Sequence, residues 1–360
     1  MADDPQSAEF HWADEDALAT AGWTADWASG QPVDPRLRCV LADPVGDVTA
    51  VATAVVGGRP IAVTGGWHSA VRRWDLATGE QIGDPLTGHT AAVRAVATTV
   101  IDGRPVAVTG SADGTVRRWD LATGEQIGEP LTGHRAEPYA LSMSVTTAVV
   151  DGTPVAVVAY GTDNSRLRAW DLATGRQLWE PQTGPYTVWG LATAVAAGRP
   201  IAVGANGDDA ISVRDLATGQ VIDEFWVANR AEDVRAVATA VVDGWPIAVT
   251  GSADGVVRRW DLILAEQIGE PAEGHTEGVR AMATAVVDGR PVAVTGGLDG
   301  TVRVWDLATG RPVGEPIEGH LDGVAGVATA VVDGSPVAVT VTGGERRAVG
   351  VWSLTADRSP

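Results

Sequence analysis

Two sets of residues in this 360-residue chain have the types and spacing to do chemistry. The first joins a histidine, a hydroxyl and an aspartate: His89, Thr109 and Asp113 in one stretch, and His275, Thr295 and Asp299 in another. A histidine held by a carboxylate beside a hydroxyl is the arrangement that activates a serine-type nucleophile. The second set gathers arginines and aromatics: Arg94, Tyr139, Trp189, Arg235 and Arg280, together with Trp67, His68 and Tyr160. Arginine grips carboxylate or phosphate through paired N–H bonds, and tyrosine and tryptophan offer rigid contact area.

Other chemistries find no residues to carry them. The chain has no lysine, so a glycine-rich phosphate loop with its lysine is missing. The single cysteine, Cys39, can form neither an internal disulfide nor a cysteine-based zinc site, and no His/Cys spacing suggests a metal. We therefore expect no cofactor and no metal. The 26 basic residues, all arginine, face 46 acids, for a net charge of −20. That excess argues against broad contact with nucleic acid or anionic lipid. No apolar run approaches the roughly 18 residues of a membrane helix. The acidic start Met-Ala-Asp-Asp is unlike a secretory signal. A reducing, cytoplasmic setting is the expectation.

The elements that must position these residues are repeats. The segment from Gly88 to Leu131 returns with small changes along most of the chain. A Trp-Asp pair stands at Trp74, Trp119, Trp170, Trp260 and Trp305; Arg214-Asp215 and Trp352-Ser353 are weaker copies. Successive spacings are 45, 51, 44, 46, 45 and 47 residues, which makes seven copies. Each copy has four stretches of strand character separated by short polar turns, for example 93–101, 105–109, 115–121 and 125–131. Strands so spaced predict antiparallel meanders. Proline at Pro85, Pro130, Pro181, Pro271 and Pro316 marks the fourth strand as an edge, where a lost N–H donor is tolerated; the fourth copy has Phe225 there.

The Trp-Asp pairs, with Gly-His at Gly88-His89, Gly133-His134, Gly274-His275 and Gly319-His320, make the chain resemble the WD-repeat family, in particular members from high-GC bacteria. The resemblance spans about residues 36–354. It implies an all-β, seven-bladed β-propeller of four-stranded antiparallel blades. Too few residues follow Trp352 for a last outer strand, so Arg36 to Ala42 is expected to supply it, closing the ring and burying Cys39. The resemblance also makes each His–Thr–Asp–Trp set a structural hydrogen-bonded network, and its recurrence argues against catalysis. The pairs Arg72-Arg73, Arg117-Arg118 and Arg258-Arg259 recur as well and suggest interblade ion pairs.

Function is sought where the repeats disagree. One position at the start of each innermost strand reads Thr49, Arg94, Tyr139, Trp189, Arg235, Arg280 and Ala325. In the family this position lies at the mouth of the central channel, on the face that most often binds partners. A second loop of that face adds Trp67 and His68 in blade one, and Tyr160 and Asn164 in blade three. Tyr139, Tyr160, Tyr186, Trp179 and Trp189 all fall in blades three and four, as a local binding surface or as volume refilling the lost tryptophan of blade four. Residues 1–34 form an acidic extension with Phe10, Trp12, Trp23 and Trp27; residues 35–356 form the propeller. The extension suits a docking tail or a segment packed on the flank.

Two functions stay open. One is a non-catalytic scaffold, expected to be monomeric, holding a protein or peptide at the mouth. The other is an enzyme or small-molecule binder at the same mouth, with His68, Tyr139, Tyr160 and Trp189 as candidates and Arg94, Arg235 and Arg280 clamping an anion.

Overall fold

The computed structural model describes residues 34–41, 48–133, 142–161, 166–180, 182–183, 187–207, 210–226, 233–320, 322–343 and 348–355. Among the described residues there is no helix, and seven antiparallel sheets follow one another along the chain. Each opens with a nine-residue strand rich in Val, Ala and Thr, such as Val93–Ile101 in blade two, and continues through a second, Arg104–Ser111, and a third, Val116–Asp120. The hairpin between the first two is a two-residue turn whose residues, Asp102 (φ 49°) and Gly103 (φ 75°), both adopt left-handed backbone. Such a turn matches the right-handed twist of the strands it joins, and an aspartate followed by glycine adopts it readily.

The opening strands lie against one another all round the molecule, and Val48–Val56 of blade one packs on Val324–Val332 of blade seven. A ring of threonines ties them. The Thr98 hydroxyl donates to the Thr53 carbonyl of the previous blade at 2.7 Å, Thr147 to Thr98 at 2.9 Å, and Thr193 to Thr147 at 2.8 Å. Thr239 donates to Thr193 at 2.6 Å, Thr284 to Thr239 at 3.0 Å, and Thr329 to Thr284 at 2.7 Å. Thr53 then donates to Thr329 at 2.6 Å, which closes the circle. The chain ends meet as expected: Leu37–Leu41 pairs antiparallel with Val349–Ser353, completing blade seven. Cys39 in that strand is half-buried rather than buried, because the outer strand keeps one side open; desolvation still pushes its thiol pKa up.

The apolar clusters lie between blades. Ile61, Val63 and Val71 of blade one pack with Val93, Ala107, Trp119 and Leu121 of blade two. No blade has a core of its own, so each depends on its neighbours.

The fourth strands depart from the expectation. Blades one, two and six have three full strands, and the fourth segment touches the third through two isolated bridges, as at Val116↔Leu131 and Trp119↔Gln126 in blade two. Pro85, Pro130 and Pro316 lie between those bridges and remove the donors that would join them. Blade four, with Phe225 in place of proline, has a continuous outer strand, Val221–Trp226. Pro181 lies outside the described residues.

Replacing a ring threonine with isosteric valine removes one hydrogen bond and strands one carbonyl. Thr193→Val should cost about 1 kcal/mol and lower the thermal midpoint by a few degrees. Thr99→Val, which breaks no bond of the ring, should change it little; thermal denaturation followed by circular dichroism checks both.

Candidate functional site

The histidine sets are closed networks. In blade two, Trp119 Nε1 donates to Thr109 Oγ1 at 2.8 Å, Thr109 Oγ1 meets His89 Nε2 at 2.8 Å, and His89 Nδ1 meets Asp113 at 2.9 Å. Blade six repeats this with Trp305, Thr295, His275 and Asp299, the histidine lying 3.1 Å from the carboxylate. One assignment of hydrogens satisfies every member: indole to hydroxyl, hydroxyl to imidazole Nε2, imidazole Nδ1–H to carboxylate. The hydroxyl proton is already committed, and both histidine side chains are fully buried, so no substrate reaches them. Burial alone would raise the Asp113 pKa, but bonds from His89, Thr115 and the Thr90 N–H outweigh it and hold the carboxyl well below its usual range. Blade seven keeps His320, Thr340 and Trp352. Blade three has Val158 and blade four Gly204 at the threonine position, and His134 lies outside the described residues.

The channel mouth is built by β-bulges. Thr49, Arg94, Trp189, Arg235, Arg280 and Ala325 are each the second residue of an innermost strand, and at each the register with the second strand slips by one. A bulge leaves its extra residue out of the ladder and re-aims the side chain. The structure then brings the expected residues together in two pairs. Arg94 stacks its guanidinium over Trp67 of the preceding blade, 4.1 Å from the ring centre, and Arg235 lies over Trp189 of its preceding blade at 5.9 Å. Such cation–π contacts contribute about 0.5–1 kcal/mol each at exposed sites. Asp233 Oδ2 sits 3.8 Å from Arg235, an acid that reading the repeats did not single out.

Arg94 differs from Arg235 in having no acid beside it among the described residues. Burial alone pushes its pKa down, and its guanidinium makes no hydrogen bond or ion pair among the described residues. Trp67 beside it is 47 % exposed. His68 and Arg280 are exposed and join neither pair. Tyr139 and Asn164 lie outside the described residues. Tyr160 falls at the position of Ser111 and is 5 % exposed, so it underlies the face instead of presenting itself there.

Two other expectations change. Arg73, Arg118 and Arg259 do cross between blades, but they donate to main-chain carbonyls, those of Leu121 at 2.9 Å, Leu172 at 2.6 Å and Leu307 at 2.9 Å, and their nearest acids stay secondary. Blade three has Ala169 in place of that arginine, and Trp179 takes over: its Nε1 donates to the Leu216 carbonyl at 3.2 Å. Trp179 therefore belongs to the blade interface and not to a binding surface. Phe225 likewise stacks on Trp260 of the next blade, centroids 6.2 Å apart.

Residues 79–120 and 268–306 match the family model described as WD domain, G-beta repeat. The chain carries WD repeats in these two stretches. The two matches run from the fourth segment of one blade into the third strand of the next, covering blades two and six, where the hydrogen-bonded set is complete. No curated protein matches the chain. WD repeats on propeller-like sheets point in general to a protein-interaction scaffold.

The buried histidines of the blades make stability depend on pH. Burial pushes His320 down to about 4 from an ordinary 6.5 and lowers His275 as well, with Asp299 opposing. A histidine depressed in the folded state is stabilising above its unfolded pKa, and that stability drains as pH falls from 6.5 towards 4. Each such group contributes a slope of about 1.4 kcal/mol per pH unit. Urea denaturation at pH 7, 6 and 5 should show falling stability, and His320→Gln, less stable at pH 7, should show a shallower fall.

Proposed function

We propose that the chain is a non-catalytic WD-repeat scaffold of the cytoplasm that holds an acidic segment of a protein or peptide at the channel mouth. The observation that carries this reading is Arg94: a half-buried cation with no acid beside it among the described residues, stacked on a half-exposed tryptophan. A carboxylate from a partner would supply the missing charge through paired N–H bonds, while Trp67 gives the apolar contact that anchors most interfaces. Arg235 on Trp189 offers a second grip, already part-compensated by Asp233. Of the candidates for catalysis at the mouth, Tyr160 is buried beneath the face, and the two His–Asp–Thr sets are spent inside blades and add nothing there.

The test uses fluorescent peptides rich in Asp and Glu with one aromatic residue, alongside capture of partners from source cells. The wild-type chain should bind such peptides more weakly as salt rises, because exposed charge pairs are screened. Arg94→Ala and Trp67→Ala should each weaken binding at least tenfold, about 1.4 kcal/mol, and abolish retention of the captured protein. Asp233→Asn, which frees Arg235, should tighten it. Equal binding by wild type and the Arg94→Ala chain would overturn the proposal.

A further inference from the structure

Blade five departs from its repeat on the face opposite the mouth. That face has two turns per blade: the hairpin that joins the first two strands, and the turn that follows the third. A hydrogen bond holds the two side by side. In blade five the Leu262 N–H donates to the Pro246 carbonyl at 3.2 Å, as Leu121 does to Pro105 in blade two at 2.9 Å. Trp245, 53 % exposed, ends the hairpin where blades one, two, four and six have Arg59, Arg104, Arg199 and Arg290. Ile263 and Leu264, exposed as well, stand in the second turn where blade two has Ala122 and Thr123. Asp261 Oδ1 accepts the N–H groups of both, at 2.7 and 2.9 Å, which fixes their turn against the strand. Three large apolar side chains thus stand out from two adjoining turns of one blade.

The charges of these turns set the same blade apart. The face as a whole is acidic, but blade five alone among the described residues has no base in its two turns, only Asp243, Asp261 and Glu266. Glu266 takes the place of Arg176 in blade three and Arg311 in blade six, and Trp245 takes that of the hairpin arginines. The blades on either side are balanced. Blade four sets Arg199 against Asp215, and blade six sets Arg290 and Arg311 against Asp288 and Asp306. Blade seven has Arg38, which reaches the Val332 carbonyl. Neither Asp243 nor Glu266 makes an ion pair among the described residues.

Exposed apolar groups beside uncompensated acid repel a second copy of this chain, with its net charge of −20, and repel nucleic acid and anionic lipid too. They attract a cation that brings apolar surface with it. Arginine meets both needs, since its guanidinium pairs with carboxylate and its flat face stacks on tryptophan.

We propose that the hairpin end of blade five binds a basic segment of a second protein, one with arginines on either side of large apolar residues. Asp243 and Glu266 pair with the guanidinium groups, Trp245 stacks on one of them, and Ile263 and Leu264 receive the apolar side chains. The site lies on the face opposite Arg94 and Trp67, so that with an acidic partner at the mouth one disc holds two partners of opposite charge.

Fluorescence anisotropy of labelled peptides on the full chain tests this. One peptide has arginines flanking two leucines; in a second, glutamine replaces the arginines, and in a third, serine replaces the leucines. The first should bind saturably, and less tightly as salt rises. The other two should bind more weakly by about tenfold or more. Glu266→Arg in blade five and Glu125→Arg in blade two change the net charge equally, yet only the first should weaken binding by about tenfold. Ile263→Ala/Leu264→Thr/Ala265→Gly, which changes no charge, should weaken it as much, and Arg94→Ala should leave it unchanged. Both blade-five variants install residues that other blades carry; circular dichroism confirms folding, and if one fails to fold the other decides. Equal losses with Glu266→Arg and Glu125→Arg, the mark of general attraction to an acidic chain, overturn the proposal. So do undiminished binding of the glutamine peptide, an absence of saturable binding, and a dimer in sedimentation velocity that Trp245→Arg disperses.

Discussion

The structure depends on seven hydrogen bonds in a circle. Each passes from a threonine hydroxyl to the carbonyl of the equivalent threonine one blade back, and the last, from Thr53 to Thr329, joins the first blade to the seventh. Singly such a bond is worth about 1 kcal/mol. Its larger consequence is register: with the sixth residue of every innermost strand fixed against its neighbour, all the bulges fall at one level and all the hairpins at another. The blades need this, because their apolar clusters are shared and no sheet could bury its faces alone. The outer strand Leu37–Leu41, laid on Val349–Ser353, holds the same circle from outside.

Within that frame, what repeats maintains the disc and what varies is free to bind. The relay from tryptophan through threonine and histidine to aspartate contains every group of a hydrolytic triad, yet each hydrogen is committed and each histidine is out of reach. The arginines that cross to the next blade satisfy leucine carbonyls. At the bulges the backbone geometry recurs while the side chain changes from Thr49 to Arg94 to Trp189, which is the condition for a surface that one fold can tune.

Most of the fold was legible because the period is strong: Trp-Asp spacing, Asp-Gly turns and the lone strand before the first repeat gave the blades, the hairpins and the closing strand. The collar positions were legible for the same reason, since alignment of copies puts equivalent residues at one level. Burial was not. Tyr160 looked like a surface aromatic but takes the inward place of Ser111, and Trp179, left open between a binding surface and refilled volume, replaces an interblade arginine. Neither place could be read from the sequence because a side chain's partner can lie on the next blade, some 45 residues away. The full fourth strands were over-read: a proline that marks an edge also removes the donors that would make it a strand.

Hydrogen–deuterium exchange of the chain, free and with a bound acidic peptide, tests most directly the claim that varied residues on a fixed frame do the binding. Slowed exchange should be confined to the loop of Trp67 and to the bulges at Arg94, Trp189 and Arg235, with the threonine ring equally protected in both states. Protection that appears on the hairpin face or along the blade flanks instead, with the bulges unchanged, would contradict it.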